Sequence, residues 1–105
     1  MVLNFDERDN VLLVSLNGEL DHHTSEVFKE KFDENVKGKK YNEVILDLKN
    51  LSFMDSSGIG ALIGRYKLLK SQGVGLSVAN LSPQVRKVFS ISGLLKVIKD
   101  KGELK

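Results

Sequence analysis

The chain has 105 residues, which is enough for one domain, 1–105, and leaves little room for a second. Hydrophobic residues make up 41% and charged residues 29% of the chain, a composition typical of soluble globular proteins and unlike that of disordered ones. A net charge of only +2, with scattered basic residues, argues against a nucleic-acid partner. The absence of cysteine excludes disulfides, iron–sulfur clusters and thiolate zinc sites.

Membrane and secretory segments are not predicted. No apolar run approaches the roughly 20 residues needed to cross a bilayer, so we expect no membrane partner. Residues 1–6 lack the basic region followed by a long apolar stretch that marks a signal peptide. We therefore expect a cytoplasmic domain that is a monomer when free.

Two short runs of β-forming residues at the start of the chain predict an antiparallel hairpin. Residues 2–5 form the first strand and residues 11–16 the second, with the polar segment 6–10 as the connecting turn. Asn17-Gly18 is expected to end the second strand.

Three helices and three further strands are expected to alternate after the hairpin. Phe28, Phe32 and Val36 form the apolar stripe of a first helix over 24–37, with Asp21 or Thr24 as its N-cap. The remaining elements are expected as a strand at 43–48, a helix at 57–70, a strand at 74–79, a helix from Ser82-Pro83 to Gly93, a short strand at 94–98 and a frayed tail at 99–105. The order ββαβαβαβ predicts a single small α/β domain with a mixed, mostly parallel sheet of four or five strands, an antiparallel edge strand and helices packed on the sheet.

The predicted 57–70 helix has an unusual face opposite its apolar stripe. A solvated helix face normally carries Glu, Lys and Gln, whereas this face is small and apolar. Its members are Ser57, Gly60, Ala61, Gly64 and Leu68, with Arg65 and Lys67 at its edges. Each interior glycine costs about 0.5–1 kcal/mol relative to alanine, so two of them require a reason. We favour close approach by a partner protein; the alternative is packing against the third helix or the tail of this domain.

Ser56 lies where this helix begins and is expected to be its N-cap. A phosphate on that hydroxyl would meet free backbone N–H groups and the positive end of the helix dipole, while adding about −1.5 to −2 charges to the docking surface. Asp21 and Asp55 also follow strands, so they are expected near Ser56 at the carboxyl edge of a parallel sheet.

Other chemistries have weaker support. Ser56, His22 or His23, and an aspartate supply the residue types of a serine hydrolase, but the Gly-x-Ser-x-Gly pattern is absent. Adjacent histidines rarely share one metal ion. Gly58, Gly60 and Gly64 resemble a phosphate loop with a displaced third glycine, so a small nucleotide-binding domain stays open as an alternative.

Two segments resemble those of a known family. Phe53-Met54-Asp55-Ser56-Ser57-Gly58-Ile59-Gly60, followed by Gly64-Arg65-Tyr66-Lys67, resembles the signature of STAS domains that act as anti-sigma factor antagonists. Gly18-Glu19-Leu20-Asp21-His22-His23-Thr24 is similar to the corresponding segment of the sporulation branch, which antagonises the anti-sigma F factor. The resemblance covers nearly the whole chain, and we expect a longer C-terminal helix of some relatives to be shortened or missing.

The resemblance implies a regulator without catalytic residues or a cofactor of its own. Its unmodified form would bind an anti-sigma factor that is also a GHKL-type serine kinase, and would thereby release a sigma factor. The kinase would use ATP to phosphorylate Ser56, the phosphoprotein would dissociate, and a PP2C-type phosphatase would restore it. Ser57 matches the second hydroxyl position of the family. The expected docking contacts are Asp21, Asp55, Ser57 and the small face with Arg65 at its edge. A sporulation role and a general stress-response role both stay open.

Overall fold

A six-stranded mixed sheet carries three helices in the computed structural model, which describes residues 1–104. The strands are β1 (Val2–Arg8), β2 (Val11–Leu20), β3 (Glu43–Asp47), β4 (Leu51–Met54), β5 (Gly75–Ala79) and β6 (Lys99–Asp100). The helices are α1 (His22–Val36), α2 (Ser56–Ser71) and α3 (Pro83–Ser92), with a 3₁₀ turn at Leu94–Lys96. The sheet order is β1-β2-β3-β5-β6, and β4 pairs with the far end of β2. The predicted α/β class is confirmed, and two short strands raise the strand count to six.

The antiparallel edge predicted from the first two strands is confirmed, but the hairpin is tighter than expected. β1 continues to Arg8, which pairs with Val11, so only Asp9 and Asn10 form the turn. Both turn residues have positive φ, 51° and 64°, as in the two-residue turns whose twist matches that of the flanking strands.

The expectation that Asn17-Gly18 ends β2 is wrong. Gly18 has φ +120°, and the strand register shifts between Gly18 and Glu19 before the strand continues to Leu20. This bulge redirects the end of β2 so that it pairs in parallel with β4, a strand that the sequence did not predict. Leu20 is then opposite Met54, and the polypeptide leaves both strands at the same edge of the sheet.

The last strand lies later than expected. Within 94–98 the buried residues are Leu94 and Ile98, and the Ile98 N–H donates to the Leu94 carbonyl at 2.8 Å. That four-residue spacing fits a helical turn and not a strand. The strand is instead β6, which pairs in parallel with Ser77 and Val78 of β5.

The expectation of a frayed tail over 99–105 is also wrong for the described residues. The Lys101 N–H donates to the Val78 carbonyl at 2.8 Å, and the Leu104 N–H donates to Asn80 Oδ1 at 2.9 Å. Residue 105 lies outside the described part of the chain.

The helices pack onto the sheet through a single apolar core. Its largest fully buried members include Phe28, Phe32, Leu16, Leu46, Leu62, Leu69 and Phe89. α3 begins as predicted, with Ser82 as N-cap and proline at the first helical position. Over residues 1–104, none of the helices has the length and apolar character needed to cross a bilayer.

Candidate functional site

α1 and α2 start side by side because β2 and β4 are parallel neighbours. Asp21 follows β2 and Asp55 follows β4, and the Asp55 N–H donates to the Leu20 carbonyl at 3.3 Å. Both aspartates are N-caps in an extended conformation, with nearly equal φ and ψ. The sheet edge therefore presents two carboxylates, one at the head of each helix.

Asp21 belongs to a capping box with Thr24. The carboxylate Oδ1 accepts from the N–H groups of His23 at 2.9 Å and Thr24 at 3.0 Å, while the Asp21 N–H donates to the Thr24 hydroxyl at 2.8 Å. The Thr24 hydroxyl in turn donates to the Glu19 carbonyl at 2.7 Å. The hydrogen bond from the Thr24 backbone, more than any other interaction, lowers the pKa of Asp21. This carboxylate is therefore held ionised and fixed in place.

Asp55, and not Ser56, caps α2. Its carboxylate accepts from the N–H groups of Ser57 at 2.9 Å and Gly58 at 3.2 Å, so the expectation of a serine N-cap is wrong. A carboxylate reaches two N–H groups at once and carries the charge that the helix dipole favours. Ser56 is consequently the first residue of the helix, and its side chain is exposed beside the cap.

Gly58 is needed for the close approach of α2 to the sheet. A Cβ atom at this position would lie 2.7 Å from Met54 Cγ and 2.8 Å from the Leu20 carbonyl oxygen. The Asp-Ser-Ser-Gly sequence therefore combines a cap, an exposed hydroxyl, a half-buried hydroxyl and a position without room for a side chain.

The small face of α2 lines a cleft that α1 completes. The cleft holds about 380 Å³ and is lined by His22, Ser25, Glu26 and Lys29 of α1 and by Ser56, Ser57, Gly60, Ala61, Gly64 and Arg65 of α2. The partner of this face within the domain is α1, and not α3 or the tail as the alternative expectation held. Ala61 is only 6% exposed, whereas a Cβ on Gly60 or Gly64 would meet nothing within 4 Å. The glycines therefore leave open space where alanine would not clash.

The other residues expected on the small face lie nearer the C-terminal end of α2. Arg65 Nε is 3.2 Å from Asp33 Oδ1 of α1, and the arginine side chain is only 15% exposed, so it braces the two helices at the cleft floor. Leu68 is 39% exposed and lines a separate groove with Asp33 and Lys37. Ser56, Ser57, Gly60, Ala61, Gly64 and Arg65 thus line one cleft, while Leu68 lines the separate groove. Asp21 and Asp55 are the N-caps of the two helices that form this cleft.

Sequence reasoning missed the contribution of α1 to this cleft. Lys29 forms an ion pair with Glu26 at 2.8 Å, and that hydrogen bond is the main reason that the pKa of Glu26 is lowered. Ser25 is 3% exposed although it is polar. Ser25 lies three residues before Phe28 and seven before Phe32, on the buried stripe of α1. The helical period could have placed it there, but a lone polar residue on an apolar stripe does not show that it also lines a cleft with α2.

The arrangement does not support the hydrolase or metal alternatives. His22 and His23 form an edge-to-face ring pair with centroids 5.8 Å apart, and both are exposed. No hydrogen bond within residues 1–104 joins either ring to Ser56, and no group of three metal-ligating side chains occurs in that part of the chain.

Comparisons with known proteins agree with the geometry. Residues 3–104 match the STAS domain family. An anti-sigma F factor antagonist of Paenibacillus polymyxa is 41% identical over 96 residues, which are 91% of this chain and 82% of the relative. An anti-sigma-B factor antagonist of Bacillus subtilis (strain 168) is 33% identical over 100 residues, covering 93% of this chain and 90% of the relative.

Solved structures show the same likeness. The anti-sigma factor antagonist SpoIIAA in its unphosphorylated form superposes with a TM-score of 0.80 at 34% identity, covering 94% of this chain and 87% of the other. The Bacillus cell fate determinant SpoIIAA in its phosphorylated form gives a TM-score of 0.72 at 33% identity, covering 94% of this chain and 90% of the other.

Proposed function

The chain belongs to the STAS domain family and, within it, to the anti-sigma factor antagonists, and we propose that it works as a switch controlled by phosphorylation of Ser56. In its unmodified form it binds an anti-sigma factor that is also a GHKL-type serine kinase, and a sigma factor is released. ATP-dependent phosphorylation of Ser56 ends the complex. A PP2C-type phosphatase returns the chain to its binding form in the cytoplasm.

The exposed position of Ser56 is the observation that carries this proposal. Its side chain is the first on α2, and it stands at the rim of an open cleft beside two capping carboxylates. A kinase can reach the hydroxyl without unfolding α2, because Asp55 and not Ser56 holds the helix end together. Ser57 is half-buried and therefore a poorer substrate.

The charges at the rim explain why phosphate would end binding. Asp21 and Asp55 already place two carboxylates there, and a partner must accommodate both. Phosphorylation adds about −1.5 to −2 charges to the same rim. A surface matched to the first charge pattern would lose affinity for the second, while the fold stays the same.

Gly60 and Gly64 give the docking surface its shape. They leave the flank of α2 open, although each costs helix stability, and a partner side chain fits the space. Ala61 contributes less than expected because it is buried.

The test compares the two serines. Wild type, Ser56→Ala and Ser57→Ala are incubated with a kinase-type anti-sigma F factor and labelled ATP. We expect Ser56→Ala to lose labelling and Ser57→Ala to keep most of it. Normal stoichiometry on the Ser56→Ala protein would refute the site.

Nucleotide binding by the free chain has less support from the cleft. Among the lining residues, His22 has the one aromatic ring and Ala61 the one apolar side chain, so the cleft offers little surface for a base to stack on. Saturable micromolar binding of ATP or GTP without a partner protein would favour that function over the interaction module.

A further inference from the structure

The N-terminus of α2 is a poor binding site for the phosphate on Ser56. The N–H groups of Ser57 and Gly58 already donate to Asp55, so they are not free for another anion. The negative charge of Asp55 stands directly before Ser56, and Asp21 caps the neighbouring helix. A phosphate on Ser56 that stayed at the helix end would be repelled by both carboxylates.

The cleft beside Ser56 offers the positive charge that the helix end lacks. Lys29 and Arg65 line it, and the positive charge of each contributes to the lowered pKa of Glu26, which is the only carboxylate in the lining. Lys29 holds Glu26 through a surface ion pair, and Lys29 is 37% and Glu26 73% exposed. Such exposed pairs are weak, so a dianion can replace the carboxylate.

Two buried groups in the same cleft have no hydrogen-bond partner. Within residues 1–104, Ser25 Oγ has no hydrogen-bond partner, although only 3% of Ser25 is exposed. Arg65 Nε and Nη1 are likewise buried without a hydrogen-bond partner, and so is Asp33 Oδ1, the carboxylate oxygen 3.2 Å from Nε with which Arg65 forms its ion pair. Arg65 already has the charge of Asp33 beside it, whereas the Ser25 hydroxyl has neither partner nor counter-charge. A buried hydroxyl without a partner is costly, so Ser25 marks a place where a phosphate oxygen would be stabilised.

From these observations we infer that the phosphoryl group on Ser56 turns into the cleft between α1 and α2, where the Lys29 ammonium and the Ser25 hydroxyl hold it. The inference rests on the proposed function, which supplies the phosphorylation of Ser56, and it adds the location of the phosphate. Lys29 exchanges the Glu26 carboxylate for the phosphate, and the dianion then bridges the two helices. Phosphorylation thereby fills the space that Gly60 and Gly64 leave open, in addition to adding charge to the rim.

The first experiment uses the full chain with phosphoserine incorporated at position 56 during translation, so no kinase is needed. The second pKa of the phosphate is measured by ³¹P NMR in wild type, Lys29→Gln and Lys67→Gln. Lys67 is an exposed lysine of α2 outside the cleft lining and serves as the matched control. We expect that pKa to lie roughly half a unit or more higher in Lys29→Gln than in wild type, and to be unchanged in Lys67→Gln. Equal values in all three proteins would overturn the inference.

The second experiment compares the effect of Ser25→Ala on the melting temperature of the unmodified chain with its effect on the phosphorylated chain. Ser25→Ala removes a buried hydroxyl without a partner, so the unmodified chain should keep or gain thermal stability. In the phosphorylated chain the same substitution removes a phosphate ligand and should lower the melting temperature. An identical shift in both forms would overturn the role of Ser25. Because phosphoserine is supplied directly, either negative result concerns the cleft alone, and the labelling of Ser56 by the kinase is decided separately.

Discussion

Arg65 of α2 and Asp33 of α1 form an ion pair at 3.2 Å that ties together the two helices lining the cleft. The sequence predicts this arginine at the edge of a docking surface, whereas only 15% of its side chain is exposed. Its position makes it a brace for the cleft, and a partner would contact the rim above it.

Arg65→Ala should therefore act on stability more than on direct partner contacts. Asp33 is 43% exposed and can be solvated by water after the loss of its partner, which limits the cost to roughly 1 kcal/mol of unfolding free energy. Urea denaturation of Arg65→Ala, Asp33→Ala and the double variant measures the coupling between the two side chains. Simple additivity of the two single effects would show that the pair does not brace the helices.

The fold could be predicted from the sequence wherever periodicity was long and uninterrupted. Phe28 and Phe32 identified α1, and Ser82-Pro83 identified the start of α3. β4 could not be predicted, because its four residues alternate poorly and the strand exists only through pairing with the bulged end of β2. β6 has two residues and depends on β5 in the same way.

Only part of the candidate site could be predicted from the sequence. Local signals placed Asp21 at the start of α1 and Ser56 at the start of α2, because caps and turns are encoded within a few residues, but they assigned the α2 cap to Ser56 and not to Asp55. The other wall of the cleft comes from Ser25 and Lys29, which reach the site only because two parallel strands set α1 beside α2. Such a juxtaposition has no signature within either segment.

Asp55 should stabilise α2 mainly as a hydrogen-bond acceptor for the first N–H groups of the helix, and less through its negative charge. Asp55→Ala removes the acceptor for two N–H groups and should cost about 1 kcal/mol of unfolding free energy. Asp55→Asn keeps an acceptor oxygen and should recover most of that loss. Chemical denaturation compares the three proteins, and equal stability of the alanine and asparagine variants would contradict the cap.

Acid should weaken the domain through carboxylates whose pKa is lowered by folding. For Asp100 the largest cause of the lowered pKa is the Gly102 N–H at 2.9 Å, and Arg86 at 2.6 Å adds to it. The pKa of Asp21 is lowered mainly by the Thr24 backbone. A depressed pKa in the folded state contributes stability that is fully present above the unfolded value near 4 and is lost as the pH falls through the folded value.

Unfolding midpoints between pH 7 and pH 2 measure this loss. Asp100→Asn should flatten the acid limb of the curve relative to wild type, because the substituted side chain no longer takes up a proton on unfolding. An acid limb of unchanged steepness would show that Asp100 is not among the groups responsible.

The glycines of α2 should respond in opposite directions to the same substitution. Gly60→Ala and Gly64→Ala add a methyl group into open space and should each stabilise the free domain by about 0.5–1 kcal/mol. Gly58→Ala should destabilise it, because the new Cβ would lie within 3 Å of Met54 and Leu20.

Partner binding distinguishes an effect on the docking surface from an effect on stability for the two stabilised variants, Gly60→Ala and Gly64→Ala. Calorimetric titration with an anti-sigma factor should show weaker binding for Gly60→Ala and Gly64→Ala although both are more stable than wild type, since the methyl groups occupy space that the partner uses. Gain of stability with unchanged affinity would mean that the partner docks elsewhere. Gly60→Ser introduces a side chain of similar size to that of Gly60→Ala but with a hydroxyl group. A similar loss of affinity in both variants would attribute the effect to side-chain volume and not to polarity.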